Sequence, residues 1–89
     1  MKAIVTVVGK DAVGIIAGVC VELAKYEINV LDISQTVMQG YFTMMMVVDV
    51  SGSKLPVAEL AKILEEKGKE MNLSIRLQRE DIFEAMHRV

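Results

Sequence analysis

The passage VVGKDAVGIIAGV, residues 7–19, sets three glycines, a lysine and an aspartate directly after a β-branched run. Glycine permits positive φ and close backbone approach, so Gly9, Gly14 and Gly18 mark places where main-chain amides could do the chemistry of anion binding. A nucleotide-triphosphate loop of the form GxxxxGK[ST] needs lysine and a hydroxyl after its last glycine, but Ile15 and Ile16 stand there. The dinucleotide spacing G-x-G-x-x-G is absent as well. Two readings remain. A helix beginning here would have unsatisfied first-turn amides and a positive dipole end able to receive a carboxylate. Alternatively Gly14 and Gly18, one turn apart, let the helix lie close to a sheet, and on pattern alone this packing reading carries more weight.

No catalytic constellation is present elsewhere. His87 is the sole histidine and lies in the terminal segment, where a solvated side chain is expected. Cys20 falls on an apolar helical stripe and reads as a buried thiol, so neither a Cys/His nor a Ser/His/carboxylate arrangement can be assembled. One cysteine and one histidine exclude a Cys/His metal centre, and no metal or cofactor is expected. The consecutive Met44, Met45 and Met46 point to alternate faces of a strand and cannot converge on a soft metal. Asp32 and Asp49 read as two separate solvated carboxylates.

The elements that must position these residues follow from periodicity. Residues 3–8, AIVTVV, read as a central strand ending at Gly9. From residue 12 to residue 26 the spacing of Ile15, Ile16, Val19, Cys20, Leu23 and Tyr26 predicts a helix, with Asp11 as its N-cap and Glu22, Lys25 and Glu27 off the stripe. Residues 28–38 and 41–50 are strand-like runs separated by Gln39 and Gly40, a two-residue hairpin signal. That loop sets Met38 opposite Tyr41, and puts Leu31, Ile33 and Val37 on the face of Phe42, Met44, Met46, Val48 and Val50. The opposite face carries Val30, Asp32, Ser34 and Thr36 beside Tyr41, Thr43, Met45 and Val47. Pro56 suits a helix start, and Leu60, Ile63, Leu64 and Met71 continue the stripe, with Gly68 a weak point in the last turn. Residues 73–78, LSIRLQ, alternate as a half-buried fourth strand.

The order β-α-β-β-α-β predicts an α+β, ferredoxin-like sandwich, its antiparallel sheet ordered 4-1-3-2 with two helices on one face. Residues 1–79 form that domain. Residues 80–89 are expected to add a short amphipathic C-terminal helix with Ile82, Phe83 and Met86 on one side, a helix that needs something to pack against. An RNA-recognition module shares the element order, but YFTMMMVVDV lacks its aromatic pattern.

Composition narrows the function classes. At 89 residues the chain makes one domain. It is 53% hydrophobic with a mean hydropathy of +0.40, more apolar material than so small a chain can readily bury, and a homodimer is expected. A formal net charge of -2 with scattered basic residues disfavours direct nucleic-acid binding. The single cysteine fits a reducing compartment. No membrane span or targeting signal is visible, so a cytoplasmic location is expected.

The run GKDAVGIIAGVCVELAKYEINVLDISQ, residues 9–35, resembles the opening half of ACT domains, above all the small stand-alone bacterial and archaeal ones and, more distantly, glycine-cleavage repressor-like regulators. The resemblance covers nearly the whole chain. It implies a non-enzymatic regulatory module that binds an amino acid or similar metabolite at an interface between two domains and signals to an unidentified protein partner. By position, Gly9, Asp11, Val13, Gly14 and Ile15 would contribute from the first loop and helix start, and Asn29 from across a dimer. A constitutive assembly module without ligand is the alternative. An enzyme of acylphosphatase type, on a related fold, is third, but it would need a planar anion-binding arginine where this chain has Lys10.

Overall fold

The computed structural model describes residues 1–10 and 14–82. Its elements are β1 (Lys2–Gly9), α1 (Ile15–Lys25), β2 (Asn29–Met38), β3 (Tyr41–Asp49), α2 (Val57–Glu70) and β4 (Ser74–Arg79). The sheet runs β2-β3-β1-β4 with every neighbouring pair antiparallel, the expected 4-1-3-2 order read from the other edge. The two most apolar strands are central, where each has a ladder partner on both edges and one face under the helices.

The core lies between one sheet face and the helices. From the sheet come Ala3, Val5, Val7, Phe42, Met44, Met46, Val48, Ile75 and Leu77; from the helices come Ile15, Val19, Leu23, Leu60 and Leu64. Gln39 and Gly40 take φ of 49° and 83°, the two left-handed residues that a type I′ hairpin turn requires. Met38 is therefore opposite Tyr41, and Val37, Gln35 and Ile33 face Phe42, Met44 and Met46, as the loop length predicts.

The register then slips. A bulge at Leu31 leaves Asp32 opposite Val47 but Val30 opposite Val48, so Val30, not Leu31, joins the core side. Leu31 is exposed. The same edge strand shows that sharing a face with the core is not burial: Ile33 and Val37 remain 39% and 68% exposed, because the helix layer does not reach the outside of β2.

Both helices end in Schellman motifs. In α1, Ile28 donates its N–H to the Leu23 carbonyl and Glu27 donates to Ala24, with Glu27 at φ 58°. In α2 the same pattern runs from Leu73 to Gly68 and from Asn72 to Lys69, with Asn72 at φ 63°. Gly68 is no weak point: it is buried, and a Cβ there would lie 2.9 Å from the Leu73 carbonyl oxygen, so glycine lets α2 settle onto the start of β4. Glu22, expected off the apolar stripe, is 6% exposed, with its carboxylate 3.6 Å from the Lys25 ammonium. Cys20 is only half-buried.

Of the expected C-terminal helix, the chain is helical at residues 80–82, while residues 83–89, Phe83 and Met86 among them, lie outside the described residues. No described helix is long and apolar enough to cross a membrane.

Candidate functional site

Gly14 decides where α1 begins. It occupies the N-cap position at φ 75°, and its carbonyl accepts the first intrahelical bond, from the Gly18 N–H at 3.0 Å. The expected start at residue 12 with Asp11 as cap is thus corrected: Asp11 stands three residues ahead of the cap position. Asp11 and Val13 themselves lie outside the described residues. Gly14 has no side chain to cap with, no acidic residue occupies the first turn, and helix geometry leaves the leading amides without intrahelical acceptors.

The glycines have separate reasons. A Cβ on Gly14 would meet nothing within 4 Å, so this residue is required by conformation and by open approach, and the packing reading fails here. Gly18 does pack, but against the second helix's end: a Cβ would come 2.5 Å from Met71 Cε. Gly9, at the end of β1, is buried, and a Cβ there would overlap Leu73 Cδ2. Ile15 is 5% exposed with its side chain in the core, which leaves its main chain as its contribution to any site. Lys10 is exposed.

Asn29 does not join this group within one chain. It opens β2 opposite Asp49, and Asp49 pairs Lys2, whereas Gly9 pairs Phe42 at the far end of the sheet. Seven residue steps along the strand separate the two rows, about 23 Å at the usual rise. Within a single chain, Asn29 and the Gly9 end of the sheet therefore do not converge on one site.

At the Asn29 end the electrostatics are local. The Asp49 carboxyl is lowered to about 2, chiefly by the Ser51 hydroxyl, then by the Ser51 N–H donating to Oδ1 at 2.9 Å, with the Met1 ammonium adding attraction. A carboxyl held below its ordinary 3.8 stabilises the fold above that value and loses its contribution as pH falls towards 2. Acid titration of Tm in wild type should show this component between those two values, and Asp49→Asn should remove it. An unchanged acid limb in the variant would contradict the assignment.

Met44 and Met46 are buried while Met45 stands on the open face, and among the described residues no group of three His, Cys, Asp or Glu side chains could hold an ion. Sequence reasoning missed a different feature, an apolar groove of about 690 Å³ at the opposite end from Gly14, between the start of α2 and the end of β4. Four separate segments build it, so no local pattern announces it.

Residues 2–78 match the model of the ACT domain family. A UPF0237 protein of Clostridium acetobutylicum is 56% identical over 89 residues, covering all of both chains. An ACT domain protein from Streptococcus pneumoniae superposes with a TM-score of 0.84 at 49% identity, over 94% of each chain. A putative glycine cleavage system transcriptional repressor shares the fold at a TM-score of 0.71 and 22% identity, over 86% of this chain and 44% of that one.

Proposed function

Since the chain belongs to the ACT domain family, we propose that it is a non-enzymatic regulatory homodimer that binds an amino acid or similar small metabolite between its subunits and transmits the change to a protein partner in the cytosol. One observation supports this reading: β2 is a ten-residue edge strand with Ile33, Val37 and Met38 exposed, and its Val37 shares a row with Phe42 and Gly9, the strand residue that leads towards Gly14. A long edge with unpaired ladder groups and several exposed apolar side chains calls for a pairing partner, and a second copy supplies a complementary one.

Two β2 strands related by a two-fold axis run antiparallel. The Asn29 end of the partner subunit is then carried towards the Val37 end of the first, which is the end where Gly9 and Gly14 lie. A ligand carboxylate on the leading amides of α1, with its remaining polar group held from across the axis by Asn29 of the partner subunit, would touch both subunits at once. Such a ligand favours whichever dimer arrangement makes more contacts with it, and that differential affinity is the signal.

Sedimentation should give a dimer at micromolar concentration for wild type and a folded monomer for Ile33→Lys combined with Val37→Lys. A monomeric wild type would defeat the reading. A thermal-shift screen of the amino acids should find one that raises Tm, since a ligand at about 100 times its Kd adds about 2.7 kcal/mol. The exposed β2 edge by itself also supports constitutive assembly, and a persistent dimer that no amino acid stabilises would select that alternative.

A further inference from the structure

The outer side of β4 meets no strand among the described residues, since β4 is a border of the sheet and its ladder partner is β1. Every second residue there turns an N–H and a C=O away from β1. Beside this edge runs a groove of about 470 Å³ whose other wall is α2, where Ala61, Glu65 and Lys69 stand along one ridge of the helix. Leu73, Ile75 and Leu77 form its inner side.

Ile75 and Leu77 are buried on the helix side of the sheet, so Arg76 between them projects from the opposite face. Its row across that face reads Thr6, Met45 and Ser34, and its neighbours on the same side of β4 are Ser74 and Gln78. None of these is a carboxylate. Arg79, the other arginine of the strand, already holds Asp81 at 2.8 Å, whereas Arg76 is exposed and makes no ion pair among the described residues.

We propose that the β4 edge and its groove dock an extended segment of a partner protein that carries the alternation apolar, acidic, apolar. Added to the sheet as a strand, such a segment would direct its apolar side chains to the helix side, beside Ile75, Leu77 and Ala61, and its carboxylate to the other face, against Arg76. The ladder supplies affinity and the alternation selects the sequence. A second copy's β4 is a poor occupant, because it would bring Arg76 and Arg79 against another pair of arginines. This docking goes beyond the function proposed above and needs neither the ligand nor pairing through β2, so the two readings fail separately.

The test is a titration of the isotope-labelled full-length protein with the synthetic peptide Ser-Thr-Val-Glu-Val-Thr-Ser, followed through its amide resonances. Saturable shifts should centre on Ser74–Arg79 and the facing ridge of α2. Arg76→Glu should weaken this peptide roughly fivefold or more, and a peptide with lysine in place of the glutamate should prefer the variant to the wild type. An added strand presents only alternate amides to the edge, so of two peptides N-methylated at alternate positions, one should lose binding and the other keep it. Sedimentation of Arg76→Glu should match the wild type. Shifts centred on β2, or none, would overturn the proposal, as would a lysine peptide that showed no preference, or N-methylated peptides that both bound or both failed. An altered assembly state in Arg76→Glu would assign the edge to a second copy and overturn it equally.

Discussion

Replacing Met46 by alanine is expected to cost about 2 to 5 kcal/mol of stability, whereas Thr43→Ala should cost well under 1 kcal/mol, roughly the range of surface changes. Met46 is fully buried at the centre of the sheet, with Ile33 opposite it on β2 and Val5 opposite it on β1. Truncation there removes apolar contacts and leaves a cavity that close-packed neighbours can only partly fill. Thr43 projects from the other sheet face between Thr36 and Val8, where water can replace what the side chain loses. Urea unfolding at one fixed protein concentration measures both, since a dimer's apparent stability depends on concentration. A Tm drop of at least about 8 °C should accompany the Met46 change in a domain of this size. Equal losses at the two positions would mean that the β2–β3 hairpin pairs in another register.

Gly14→Asn is expected to abolish ligand binding while fold and dimer survive. Asparagine tolerates the left-handed backbone better than any other residue with a side chain, and a Cβ at this position meets open space. The new amide would lie over the leading N–H groups of α1, where the ligand carboxylate is proposed to sit, and would satisfy them itself. A bulky β-branched residue such as valine is the poorer instrument, because at φ 75° its backbone strain would confound the result. Thermal stability, sedimentation and titration with the amino acid found by screening should be read on the same Gly14→Asn protein. Unchanged affinity in a folded dimer would remove the helix start from the binding site.

The fold was legible because each period change in the sequence falls where an element changes. Gln39-Gly40 was readable for a sharper reason: both residues accept positive φ, so the turn type, and with it the register of seven β2 residues, Asp32 to Met38, followed from two letters. The bulge at Leu31 left no such mark. Val30 and Leu31 are both apolar, and exchanging one for the other on the core face does not disturb the alternation by which strands are recognised. The start of α1 was misplaced because Asp11 and Ala12 have the composition of a cap and a first turn; the left-handed Gly14 is what postpones the helix. Gly14 was singled out by sequence, but pattern could not say whether packing or conformation demanded it. That answer depends on the space around a Cβ. Exposure of Val37 depends on how far the helix layer extends sideways, a quantity that no local window contains.

The two borders of the sheet are unequal, and that inequality sets a limit on growth. β2 has ten residues and leaves Leu31, Ile33, Val37 and Met38 exposed, but β4 has only six residues, Ser74–Arg79, with Arg76 and Arg79 along it. Joining two copies through β2 hides both inviting margins on the symmetry axis and leaves only the short, arginine-bearing strands outermost. Further strand addition would have to desolvate those guanidinium groups without anions to receive them. The bulge at Leu31 works in the same direction by interrupting the regular ladder of β2 near one end, so that sliding to a longer overlap gains no matched bonds. A pair joined in this way would be finite: the strand that recruits the second copy would be consumed in doing so, and what it leaves facing water would not template a fibre.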